Sequence, residues 1–172
     1  MYTYLLDTYK ENDLTYDSYN KGKLEAQLAY HGNYKAYFEF IADSLKRYSS
    51  QRDKQKGEAF VHGFTLAMTS QNQFYRPISE LDNDGGYADI FLSPLCDIYK
   101  DMVDSYIIEL KYCKTNTADE QLQVLFKEAS AQICRYANSD IVKESVKTTK
   151  LHKLVVIYRG AEMVMCEEVT EE

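Results

Sequence analysis

Ile107-Ile108-Glu109-Leu110-Lys111-Tyr112, read with the upstream segment Tyr87-Ala88-Asp89-Ile90-Phe91, decides the fold of this chain. Both segments carry the β-branched and aromatic residues that favour strands. Side chains alternate faces along a strand. Glu109 and Lys111 therefore share one face, with Ile108, Leu110 and Tyr112 on the other, and Asp89 alternates in the same way against Ala88 and Ile90. If the two strands are neighbours, Asp89, Glu109 and Lys111 converge at one point. Two carboxylates can hold a hard divalent cation through oxygen. An ammonium beside them can orient a water or neutralise charge on a phosphate.

Working outward, residues 23–31 and 34–48 read as helices, the second with an apolar stripe of Tyr37, Phe38, Phe40, Ile41 and Leu45 at helical spacing. A further helix is expected over 54–70, with Phe60, Phe64, Ala67 and Met68 as its buried face. Strands follow near 74–81, 86–93 and 104–113, and Asp82-Asn83-Asp84-Gly85-Gly86 is a hairpin-turn signature between the first two. A helix from about 118 to 137 turns Leu122, Leu125, Phe126, Ala129, Ile133 and Tyr136 inward. A polar connection leads to a strand at 151–158. Arg159-Gly160 makes a turn, and 162–169 is a last strand. The third strand, a crossover helix and the next strand suit a parallel pair. The expectation is an α/β domain with an αβββαβ core, a mixed central sheet flanked by helices, and extra helices at its N-terminal side.

At Asp89 and Glu109-Leu110-Lys111 the chain resembles the PD-(D/E)XK nuclease superfamily, whose core is restriction-endonuclease-like. Ala88-Asp89 stands where Pro-Asp is usual. Gln132-Ile133-Cys134-Arg135-Tyr136 resembles the Gln-hydrophobic-X-X-Tyr motif of RecB-type members, and its Gln132 and Tyr136 share one helix face. Glu58, in Glu58-Ala59-Phe60-Val61-His62-Gly63-Phe64, matches the glutamate that many members carry on the helix before the sheet. With Ile78-Ser79-Glu80 and Gly86-Tyr87-Ala88-Asp89-Ile90, the pattern is similar to the nuclease-like domain that follows an ATPase-like domain in many bacterial proteins. That group usually has Gly-Arg-X-Asp before the metal aspartate. This chain has tyrosine in place of the arginine, so the arginine's contact is missing while the metal ligand is kept.

The resemblance implies a nuclease acting on DNA, or on RNA, with Mg²⁺ or Mn²⁺ held by Asp89, Glu109 and the carbonyl of Leu110. It assigns Lys111, Glu58 and Gln132 to the catalytic set and Tyr136 to its support. It also raises an ATPase domain or partner chain as a collaborator. No GxxxxGK[ST] phosphate loop occurs in these 172 residues. A rival reading belongs to another class: a non-catalytic nuclease-fold module that docks on an ATPase or another subunit.

The chain length suits one domain, read as residues 23–172 after an N-terminal extension or remnant at 1–22. Apolar content of 45% supports a core. No apolar run long enough to span a membrane and no signal peptide is read, and the expected compartment is the cytoplasm. Cys96, Cys113, Cys134 and Cys166 lack CxxC spacing and read as free thiols, and His31, His62 and His152 are not clustered with them. The net charge of −7 runs against nucleic-acid binding, but acidic residues crowd the C-terminus. Basic residues gather at Lys46, Arg47, Arg52, Lys54 and Lys56 and again at Lys143, Lys147, Lys150 and Lys153. These are either backbone-contact candidates or an ordinary solvated surface.

Overall fold

In the computed structural model, which describes residues 18–48, 57–83 and 86–170, the strand Asp104–Cys113 lies at the centre of a five-stranded sheet. In chain order the strands are β1 (Tyr75–Asn83), β2 (Gly86–Pro94), β3 (Asp104–Cys113), β4 (Lys150–Arg159) and β5 (Glu162–Glu168). Their spatial order is the same, with β3 and β4 parallel and the other neighbours antiparallel. The described helices are α1 (Ser18–His31), α2 (Tyr34–Tyr48), α3 (Glu58–Thr69), α4 (Asp119–Ala137) and α5 (Asp140–Val146). The αβββαβ order expected from the sequence is present, with α1 and α2 as the extra N-terminal helices.

Strand alternation divides the core into two layers. Ile90, Leu92, Tyr106, Ile108, Leu110, Leu154, Val156 and Tyr158 face α1–α3 and pack with Leu28, Phe38, Ile41 and Val61. Phe91 and Ile107 face the other way onto Ile133, Tyr136 and Val142, and Val155 and Ile157 onto Leu122 and Ala129. Leu154 through Tyr158 are fully buried, as a strand covered by helices on both faces must be. Each such aliphatic side chain contributes about 1.5–3 kcal/mol by leaving water.

At the N-terminal end of the parallel pair, His152 bridges Asp104 (2.8 Å) and Glu168 (2.9 Å) and stacks on Tyr106 at 5.0 Å. This polar cluster pins β3, β4 and β5 together at the end far from Lys111. At the other end Gly160, with φ of 64°, makes the turn into β5.

Three readings of the sequence need correction. The first helix begins at Ser18, earlier than the expected residue 23. The polar connection after α4 contains α5, capped by Ser139 through Val142 N–H and anchored by buried Val142. Seven residues are too few to show a helical period. The buried face of α3 is Val61, Thr65, Met68 and Thr69, whereas Ala67 is exposed and Phe60 and Phe64 are half-buried. Thr65 and Thr69 donate their hydroxyls to the carbonyls of Val61 (2.8 Å) and Thr65 (3.0 Å). With their polar atoms satisfied within the helix, they can be buried, which a search for apolar periodicity overlooks. The hairpin closes with Asn83 opposite Gly86, and Asp84 and Gly85 lie outside the described residues.

Ile108 is fully buried on the α1–α3 face of the central strand. Ile108→Ala is expected to cost about 2–5 kcal/mol through lost transfer energy and a residual cavity. Urea unfolding checks this as a lower midpoint at unchanged slope.

Candidate active site

β2 and β3 share a short register that runs from Leu92 opposite Tyr106 to Ile90 opposite Ile108. β3 and β4, by contrast, pair along their whole length. Beyond Ile90 the two antiparallel strands part and leave a fork. Inside it, the amide of Leu110 donates to Asp89 Oδ2 at 2.7 Å. A side-chain oxygen thus takes the place of a sheet carbonyl. By strand alternation Asp89, Glu109 and Lys111 all point to the face covered by α4.

Glu109 is only 1% exposed. Its Oε1 accepts from Lys111 Nζ at 2.8 Å, and its Oε2 is buried with no hydrogen-bond partner. Lys111 also donates to Gln132 Oε1 at 3.2 Å, and Gln132 Nε2 donates to Tyr136 Oη at 2.8 Å. The ammonium can only donate, so Gln132 must turn its oxygen to Lys111 and its nitrogen to Tyr136. Buried Tyr136 then holds the glutamine from behind.

Glu58 starts α3 and is exposed. Gly57 places it there. With φ of 61°, Gly57 lies so close to the Tyr112 ring that a Cβ would stand 3.3 Å from it. The first turn of α3 is thereby pressed onto β3 beside Lys111. Glu58 acts on Asp89, Glu109 and Lys111 through its charge. His62, one turn further on, is a residue that the sequence reading left without a role. Its Nε2 lies 3.1 Å from the Asp89 carbonyl oxygen and 3.4 Å from Ser79 Oγ. The signal available in the sequence was the i, i+4 spacing that puts His62 on the Glu58 face.

Burial and the Asp89 charge push the Glu109 carboxyl up to about 7, against the opposing pull of Lys111. Burial likewise raises Asp89, although the Leu110 amide, Lys111 and His62 draw it down. Lys111 is depressed by burial, but its bond to Glu109 and the charges of Glu109, Asp89 and Glu58 outweigh this, and it stands above the ordinary lysine value. The site is therefore a pair of reluctant carboxylates, one of which, Glu109, holds the ammonium.

An orphaned buried carboxylate oxygen next to a second carboxylate suits a hard divalent cation. The Leu110 carbonyl leaves β3 on the same side as its N–H, toward the fork, because the N–H and C=O of one strand residue share a side. Among the described residues, no group of three or more His, Cys, Asp or Glu side chains is placed to hold a metal ion.

Most of the described basic candidates are paired with carboxylates at the surface. Lys46 pairs with Glu162, Lys147 with Asp97 and Lys150 with Glu168. Lys150 stands opposite Asp104, at the far end of β3 from Lys111. Arg47 and Lys143 are exposed, and Arg52, Lys54 and Lys56 lie outside the described residues. Cys113 and Cys166 are buried and Cys96 and Cys134 half-buried, all as free thiols. No helix among the described residues is long and apolar enough to cross a membrane.

A helix-flanked mixed sheet that splits beside Asp89 and Glu109-X-Lys111 defines the restriction-endonuclease-like class. The sequence profile of the PD-(D/E)XK nuclease superfamily matches residues 56–168, and the chain belongs to that superfamily. No curated protein and no solved structure gives a significant match. Membership suggests a nuclease-type function; the nucleases of this superfamily act on nucleic acid and generally use divalent metals.

The raised Glu109 carboxyl has a consequence for stability. Unfolded, the group titrates near its ordinary 4.5; folded, near 7. Between these values the folded state holds a proton that the unfolded state has lost, so stability falls as pH rises. In metal-free protein, melting temperature should decline across this window, and Glu109→Gln should flatten the decline. Calorimetric melts at stepped pH check this.

Proposed function

We propose that this protein is a Mg²⁺- or Mn²⁺-dependent nuclease that hydrolyses phosphodiester bonds in DNA, with Asp89, Glu109 and Lys111 at its active site. The observation that carries the reading is the fork itself: Asp89 and Glu109 converge there with Lys111, and Glu109 Oε2 is left without a partner. Asp89, Glu109 and the Leu110 carbonyl would hold the cation. When bound, the cation supplies a Lewis acid, which lowers the pKa of a water and offsets charge on the phosphate.

The chain's own groups do the rest. Lys111, its side chain 22% exposed and its Nζ tethered to both Glu109 and Gln132, orients the attacking water and the scissile phosphate oxygen. Gln132 limits the positions Nζ can take, and Tyr136 limits those of Gln132. Glu58, exposed at the start of α3, accepts from water at the mouth of the site. RNA as substrate, and an ATPase-bearing partner, are finer alternatives that the same chemistry serves.

Asp89→Ala and Glu109→Ala are expected to abolish cleavage and to weaken Mn²⁺ binding in calorimetry, since each removes a charged oxygen ligand. Lys111→Ala should keep Mn²⁺ binding and slow single-turnover cleavage by about 10²–10⁴-fold, the range for a positioned proton-transfer group. Cleavage at parental rates by all three variants would overturn the proposal in favour of a non-catalytic docking module.

Metal binding should also follow the Glu109 proton. The cation needs the carboxylate deprotonated, so Mn²⁺ affinity should rise with pH up to about 7 and level off above it. Titrations at stepped pH, with Glu109→Gln as reference, measure this.

A further inference from the structure

α3 spans the fork between β2 and β3. Its first turn meets β3 where Gly57 lies against the Tyr112 ring. One turn beyond Glu58 it meets β2, where His62 Nε2 stands 3.1 Å from the Asp89 carbonyl oxygen. A carbonyl oxygen only accepts, so Nε2 must carry the hydrogen and donate it. With the hydrogen on Nε2, Ser79 Oγ, 3.4 Å from the same nitrogen, can only share it as a second, weaker acceptor. The contact is to the main chain of Asp89, the residue whose side chain takes the Leu110 amide across the fork.

We propose that His62 is the positioning residue of the site: by donating Nε2–H to the Asp89 carbonyl, it sets how far β2 opens from β3. It thereby fixes Asp89 Oδ2 on the Leu110 amide and holds Glu58, on the same helix face, at a set distance from both strands. Only the functional consequence rests on Asp89 being a cation ligand; the mechanical role does not. Either ring form that carries its hydrogen on Nε2 can make this bond.

Amide hydrogen exchange on the metal-free, isotopically labelled full chain tests this without relying on activity. In His62→Ala, exchange at Leu110 should accelerate by roughly three- to tenfold, as loss of one hydrogen bond of ordinary net strength gives. Ile107 and Val156, in the paired part of the sheet, should keep the parental rate. Gln places an amide nitrogen near the reach of imidazole Nε2, so His62→Gln should restore the Leu110 rate. Mn²⁺ affinity should fall in His62→Ala and recover in His62→Gln.

An unchanged Leu110 rate in His62→Ala overturns the proposal. So does an equal acceleration at Leu110, Ile107 and Val156, which would make His62 a general packing residue, and so does failure of glutamine to rescue. If the parent protein neither binds Mn²⁺ nor cleaves DNA, the nuclease reading fails, and the exchange rates still decide the role of His62.

Discussion

The hydrogen bond from the Leu110 amide to Asp89 Oδ2 is the interaction on which the site depends. An antiparallel pair that parts in mid-sheet leaves main-chain donors and acceptors without partners, and a buried unpaired amide costs about 1–3 kcal/mol. The Asp89 carboxylate removes that cost on the β3 side of the fork. The same carboxylate is thereby carried to the Glu109 face of β3. One side chain repairs the sheet where the strands part and places a carboxylate at the opening. The parallel partner makes this possible: β3 is held to β4 along its full length, so β2 can leave without unravelling the centre.

The charges inside the fork are in tension. Glu109 is almost wholly buried, with one oxygen on Lys111 and one on nothing. Burying a carboxylate is costly, and a single ammonium that is itself partly exposed offsets only part of that cost. The pair is supported from α4, where Tyr136 holds Gln132 and Gln132 holds Lys111. These contacts fix positions more than they add stability. The large favourable terms lie in the apolar layers on both faces of β3 and β4. The rigid core of the sheet therefore carries an electrostatically uncomfortable site at the point where its strands separate, which is where a cation has most to offset.

The acidic character of the chain looks different against this geometry. Lys46, Lys147 and Lys150 are engaged with carboxylates at the surface. Exposed pairs of this kind are worth about 0–1 kcal/mol, so they neither hold the fold together nor form a strong basic track. Among the described residues, Lys111 is the basic side chain bound to the Glu109 carboxylate at the fork.

Much of this was legible in the sequence. Period-two alternation put Glu109 and Lys111 on one face of a strand, helical spacing put Gln132 and Tyr136 on one face of a helix, and the order of elements implied the parallel crossover. Those are local properties, set by backbone periodicity and side-chain chemistry. The burial of Thr65 and Thr69 in α3 was not legible, because it depends on hydroxyls satisfied within the helix and on a neighbouring sheet. The short α5 escaped because seven residues carry no measurable period. His62 could be seen sharing a face with Glu58, but no local rule says that its ring would meet the carbonyl of Asp89. That contact, the parting of β2 from β3 and the solitary Oε2 of Glu109 arise only when segments distant in the chain pack together. Sequence determines which atoms are available and which way they point. Packing decides which of them meet and which, like Glu109 Oε2, are left unpaired.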